Sequence, residues 1–169
     1  FDDVDIATNG DSLTLTVVAN TNAALFDAVS IAGTNLTIDL ALNQNGAATI
    51  TVEAEDSAGA TVTTDFDVTV ATVNDDPVAT DDAYMISLGQ RLVVDAPGVL
   101  ANDSDVEGGL DYGSLQIVTA PSNGIAAVDF VTGAIVYSPT PAYAGPDSFV
   151  YRVADGDGVY SAGATVQVD

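Results

Sequence analysis

Apolar and polar residues alternate with a period of two through most of the chain. Leu13–Val17, Leu36–Leu40, Thr49–Val52 and Phe66–Val70 alternate in the first half, and Leu115–Val118, Ala134–Tyr137, Phe149–Val153 and Ala164–Val168 in the second. Such alternation puts one side chain in two on a buried sheet face, so each stretch is predicted to be a strand. Leu92-Val93-Val94 is a short apolar run without clear alternation. No stretch carries a 3.6-residue period long enough for a helix. Strands of about five residues separated by Gly, Asn, Asp and Pro turns predict a β-sandwich.

The pattern repeats. Asp3-Val4-Asp5 returns as Asp103-Ser104-Asp105, and Val52-Glu53-Ala54-Glu55-Asp56-Ser57-Ala58-Gly59 as Tyr151-Arg152-Val153-Ala154-Asp155-Gly156-Asp157-Gly158. Two landmarks at nearly one spacing predict a tandem array of modules of roughly 100 residues. Between the copies runs Val73-Asn74-Asp75-Asp76-Pro77, where Pro77 fixes its own φ and pushes Asp76 toward an extended conformation. The expected organisation is module 1 over residues 1–73, a linker at 74–77 and module 2 over 78–169. In that register Phe1 stands at position 101 of the next copy, so module 1 lacks about its first 25 residues. Its sheet is expected to be completed by a strand outside this sequence or by a neighbour.

Charge narrows the function. The 169 residues carry 25 acidic and 2 basic side chains, a net charge of −23, on a chain that is 47% apolar. That apolar share supports a folded core, and the negative surface repels phosphate backbones and anionic lipids, which excludes nucleic acid as a partner. No apolar run reaches the roughly 18 to 20 residues of a membrane span, so no membrane insertion is expected. With no His, Cys or Lys there is no zinc site of the usual kind, no thiolate, no Ser/His pair and no Schiff base. Carboxylate-pair hydrolysis needs only Asp and Glu, but such a pair must flank a cleft, and the doubled acids here lie at a module joint. No enzymatic activity is expected.

Glu53, Glu55 and Glu107 are the only glutamates; the other acids are aspartates, which favour turns. Turn formation suffices to explain Asp11, Asp27 and Asp129. It does not explain Asp75-Asp76 and Asp81-Asp82 beside a repeated D-x-D loop. Asn74, Asp75, Asp76, Asp81 and Asp82 near the joint, with Asp103, Asp105 and Asp155 in loops at one end of module 2, form an oxygen-only donor set suited to Ca²⁺, which takes about 6 to 8 oxygens. Two carboxylates about 4 Å apart repel by roughly 4 kcal/mol at an effective dielectric near 20, so a converging cluster calls for a cation to clamp it. Asp3, Asp5 and Asp56 would face an equivalent joint upstream.

These residues carry a resemblance. Val73-Asn74-Asp75-Asp76-Pro77 resembles the linker motif of cadherin repeats, the two D-x-D loops resemble the cadherin D-x-D motif, and Ala54–Gly59 resembles the late aspartate-glycine motif. Ala96–Asp105 with Gly145–Tyr151 is similar to the tandem cadherin-like repeats of large bacterial surface and secreted proteins, and module 1 resembles their dystroglycan-type relative. The resemblance implies an all-β chain of two tandem Greek-key β-sandwich modules of the immunoglobulin/cadherin-like kind, stiffened by calcium, extracellular, and acting in adhesion or surface and matrix interaction. Its partner would be another cell-surface protein or a neutral polysaccharide. Where vertebrate cadherins place an acidic L-D-R-E motif, Leu42-Asn43-Gln44-Asn45 stands here, so module 1 offers fewer carboxylates. The alternative function is a calcium-dependent carbohydrate-binding module attached to a secreted polysaccharide-degrading protein. All six tyrosines fall in module 2, and Tyr112, Tyr143 and Tyr160, near loops, are the candidate sugar contacts.

Overall fold

The computed structural model describes residues 12–169. The chain forms two compact units, Phe1–Val73 and Asn74–Asp169. Both are built almost wholly from antiparallel strands; the described residues hold no α-helix, only 3-10 turns at Ala23–Leu25 and Gly98–Asn102.

In the first unit, β1 (Thr14–Asn20), β4 (Gly46–Glu55) and β5 (Thr61–Val70) form one sheet in the order β1-β4-β5, and β2 (Phe26–Ala32) pairs with β3 (Asn35–Leu40) in a second. The alternation of β4 decides which way it faces. Ala48, Ile50, Val52 and Ala54 are buried, while Thr49 and Thr51 point outward and donate to Asp67 (2.7 Å) and Asp65 (2.6 Å) directly across on β5. Each such cross-strand rung steadies the register. Asp27, expected in a turn, lies inside β2, where the register shift between Phe26 and Ala28 lets an Asp sit in a strand without facing the core.

The second unit repeats that plan and adds to it. β8 (Leu110–Thr119), β9 (Gly124–Val128), β10 (Ile135–Pro139), β11 (Asp147–Asp155) and β12 (Ala164–Val168) stand about 99 residues after β1 to β5, preceded by two short strands, β6 (Asp82–Tyr84) and β7 (Leu92–Val94). One sheet runs β6-β12-β11-β8, with β6 parallel to β12, and the other runs β7-β10-β9. The chain crosses between sheets after β6, β7, β8 and β10, the Greek-key pattern. Tyr137, Phe149, Tyr151, Ile135, Leu115 and Val99 fill the core.

At one end of this sandwich Asp147, only 6% exposed, closes a polar network. Its carboxylate accepts from the Ser122 amide (3.0 Å), the Asn123 amide (2.8 Å), its neighbour Ser148 (2.9 Å) and the Tyr137 hydroxyl (2.9 Å). Burial pushes its pKa up, but these donors win and hold it below the usual carboxylate range.

Candidate metal centre

The end of the second unit where its linker enters is assembled around the turn after β11. Asp155 Oδ1 accepts from the amides of Asp157 (2.9 Å) and Val159 (2.8 Å), and Gly158 takes φ +86°, a conformation glycine adopts at no steric cost. The first unit has the same turn after β4: Asp56 Oδ1 accepts from Ala58 (2.9 Å) and Ala60 (2.7 Å), and Gly59 takes φ +85°. What differs is the second oxygen. Asp155 Oδ2 accepts from the Asn74 side-chain amide at 2.7 Å, across 81 residues, and Asp155 is 2% exposed. The Asn74 bond, together with the turn amides, holds its pKa below the usual range.

The linker is fastened to the D-x-D loop. Val78 and Ser104 exchange backbone bonds of 2.8 and 3.0 Å, Pro77 is buried, and the Asp75 amide donates to Glu107 at 3.1 Å. Asp105 Oδ1 accepts from the amides of Glu107 (3.1 Å) and Gly108 (3.0 Å), which turns its other oxygen inward. That Oδ2 is buried and has no hydrogen-bond partner. An unpartnered buried carboxylate oxygen carries an uncompensated desolvation cost.

The structure divides the sequence-predicted ligands. Asn74 bonds Asp155, the Asp75 amide bonds Glu107, and the Glu107 amide bonds Asp105; Glu107 lies outside the sequence-predicted ligand set although it continues the spacing Asp103-Ser104-Asp105-Val106-Glu107. Asp103 instead meets Tyr151, and Asp82 meets Tyr84. The buried Tyr151 hydroxyl stands 2.9 Å from Asp103 Oδ2, with the carbonyls of Val99 (3.0 Å) and Thr80 (3.2 Å) also within reach, and Asp103 Oδ1 accepts from the Thr80 amide at 2.8 Å. Burial and the neighbouring Asp103 push the Asp82 carboxyl up to about 6 against the opposing bond from Tyr84, and Asp82 Oδ2 is buried without a partner. Burial likewise raises the pKa of Asp103 and of the Tyr151 phenol, and lifts Tyr84 to about 12. Asp81 serves the sheet: its Oδ1 accepts from the Thr165 amide of β12 at 2.6 Å. Asp76 is exposed ahead of Pro77, Asp56 belongs to the other unit, and Asp3 and Asp5 lie outside the described residues.

Among the described residues no three acidic side chains stand together as a ready metal cage. The donors are nevertheless all hard oxygens or, at Asn74, an amide whose other end is one, and the orphaned Asp105 oxygen points to a missing positive partner. The residues fit a calcium ion on condition that Asn74 turns its carbonyl rather than its amide inward.

The three tyrosines proposed as sugar contacts are half-buried and engaged. The Tyr160 hydroxyl accepts from Gln116 at 2.6 Å and its ring lies 4.2 Å below the Arg152 guanidinium, which Gln116 also holds. Tyr143 donates to the Pro146 carbonyl at 2.8 Å, and Tyr112 packs on the core.

Comparison with known proteins supplies the family. Human CDH23 EC21-23 superposes with a TM-score of 0.54 at 16% identity, covering 100% of this chain and 65% of that one. Human mucin-like protocadherin EC1-2 gives 0.52 at 14% identity, covering 95% and 84%. At these identities the likeness shows the fold alone. The protocadherin gamma B4 extracellular domain is matched at 16% identity over 92% of this chain, with a TM-score of 0.48, and this chain spans 28% of its length. Comparison of the sequence with curated proteins finds no match. The bacterial cadherin-like domain family matches residues 74–169, the whole of the second unit and more than half of the chain. With that match over more than half of its length, the chain belongs to the bacterial cadherin-like domain family.

Proposed function

We propose that the second unit binds calcium at its linker end through Asn74, Asp75, Asp105 and Asp155, with Glu107 beside them and Asp103 behind. The observation that carries this reading is the buried, partnerless Asp105 Oδ2 next to a linker already bonded to Asp155 and Glu107. A cation there would compensate Asp105, draw the Asn74 carbonyl inward and fasten residues 74–77 to the loop. Because Ca²⁺ takes about 6 to 8 oxygens, backbone carbonyls and water would complete its shell.

On this reading the chain is a calcium-stiffened extracellular module of a bacterial surface or secreted protein, working in adhesion and without catalysis of its own. A protein surface is favoured over a neutral polysaccharide as its partner, because Tyr160 already has Arg152 over one face of its ring and Tyr112 is packed on the core. Calorimetry on chelator-stripped protein tests the site: binding in the micromolar to millimolar range is expected. An isotherm unchanged by the double substitution Asp103→Ala and Asp105→Ala would sink the assignment.

A further inference from the structure

The three-stranded sheet of the second unit is apolar on both faces. Leu92, Ile135 and Tyr137 point into the core. The positions that alternate with them face outward, where an antiparallel sheet ordinarily carries polar side chains. Here they are Val93 on β7, 48% exposed, Val136 on β10, and Ala127 and Ile125 on β9, with Ile125 73% exposed. Val93, Val136 and Ala127 stand in register as one row across the three strands. No such row covers the comparable faces. The four-stranded sheet turns Gln116, Arg152, Thr165 and Gln167 outward, and the positions on β3 that answer Val136 and Ser138 are Thr37 and Asp39, both exposed.

Opposite charges frame the apolar row. The exposed positions of β7 and its flanks read Arg91, Val93, Asp95, while Leu92 is buried and Val94 packs on the core. Arg91 and Asp95 stand about 13 Å apart along an extended chain, too far to pair with each other. Neither side chain has an ion pair or hydrogen bond among the described residues. Residues 112–146, which include β9 and β10, carry a single charged side chain, Asp129, whose carboxylate already accepts from the Val131 and Thr132 amides. On a chain of net charge −23, this sheet is therefore a face that two copies can bring together with little repulsion.

We propose that the outer face of the β7-β10-β9 sheet docks a second copy of this chain, stacked about a two-fold axis that crosses β7 at Val93. Two sheets stack face to face about 10 Å apart. With the two β7 strands antiparallel, Val93 meets Val93, and Arg91 meets Asp95 of the second copy twice over, as a two-fold requires. A parallel stacking would set Arg91 on Arg91 and Asp95 on Asp95, so the charges choose the orientation. The apolar centre is small against the about 800 Å² per partner of a stable complex, and the contact is accordingly weak, of a strength that counts where many copies are arrayed. The proposal rests on the adhesive reading above for its use, narrows the protein partner to the same chain, and does not draw on the calcium site.

The test is sedimentation equilibrium of the full chain with calcium present. A monomer–dimer equilibrium with a Kd of about 0.1 to 1 mM is expected. Arg91→Asp and Asp95→Arg, both at exposed positions, should each weaken it about ten-fold or more by setting like charges together. Asp95→Arg also lowers the net charge from −23 to −21, so an association governed by overall repulsion would instead tighten. An equimolar mixture of the two variants should associate at least as tightly as the parent chain, because each supplies the charge the other lacks. A parent chain that stays monomeric through about 1 mM overturns the proposal and leaves the adhesive reading to a different partner. A dimer that both single variants keep, or that the mixture fails to restore, puts self-association on another surface and overturns this face.

Discussion

The turns at Asp56 and Asp155 are one object in two settings. Their hydrogen bonds agree pair by pair and their glycines share a φ near +85°, because both are fixed by residues within four positions of the aspartate. Their second oxygens do not agree, because Asn74 reaches Asp155 from 81 residues away. A local motif thus makes a turn, and only long-range partners make it a site.

Core truncation breaks this comparison most severely. Ile135→Ala removes a fully buried side chain and is expected to cost the second unit about 2 to 5 kcal/mol, while Leu36→Ala, at a partly exposed position of the first unit, costs less than about 1 kcal/mol. Thermal unfolding monitored by tryptophan-free circular dichroism reads both. Equal losses would mean that Leu36 is buried in solution.

The paired turns come next. Asp155→Asn should weaken calcium binding about ten-fold or more, whereas Asp56→Asn should leave the affinity of the second unit unchanged. Titration of both variants under one buffer is the check, and a matching loss in the two would make the turn itself, not its partners, the determinant.

Acid and neutral pH separate two buried carboxylates within the second unit. The Asp82 pKa is raised to about 6 in the fold, so the folded state binds the extra proton and calcium-free protein gains stability as pH falls from about 7 toward 4. The Asp147 pKa is depressed, so its contribution is complete above the ordinary carboxylate pKa of about 3.9 and is lost as pH falls below that. Stability of the second unit without calcium should therefore peak on the acid side of neutrality, and Asp82→Asn should flatten the neutral limb while Asp147→Asn flattens the acid one. Melting temperatures that simply rise from pH 4 to pH 8 would contradict the assignment to Asp82.

The smallest expected effect concerns Tyr160. Removing its hydroxyl by Tyr160→Phe deletes the bond from Gln116 but keeps the ring under Arg152, a loss of about 1 kcal/mol. A loss several-fold larger would give the Gln116–Arg152–Tyr160 cluster more than a surface role.

Most of the fold was legible because alternation is a local signal. Leu36–Leu40, Thr49–Val52 and Phe149–Val153 all lie in strands, and Leu92–Val94 forms β7 despite its unclear pattern. β2 escaped because the register shift between Phe26 and Ala28 breaks the alternation and puts Asp27 in the strand, and β9 because Gly124-Ile125-Ala126-Ala127-Val128 is short and weakly apolar. Of the candidate site, Asn74 and Asp155 were both named from linker and turn chemistry, but not the bond that joins them. The contact of Asp103 with Tyr151 was not legible, since Tyr151 reads in sequence as an ordinary core position and its hydroxyl finds its acceptors only when β11 packs against the Gly98–Asn102 turn.

The central claim is that calcium binds where linker, D-x-D loop and late turn meet, not wherever the turn motif occurs. Amide resonances followed while calcium is added to chelator-stripped protein test it directly. The account predicts saturable shifts at Asp75, Glu107 and Asp155–Val159 and none at Asp56–Ala60 at the same calcium concentrations; shifts of equal size at both turns, or at neither, would contradict it.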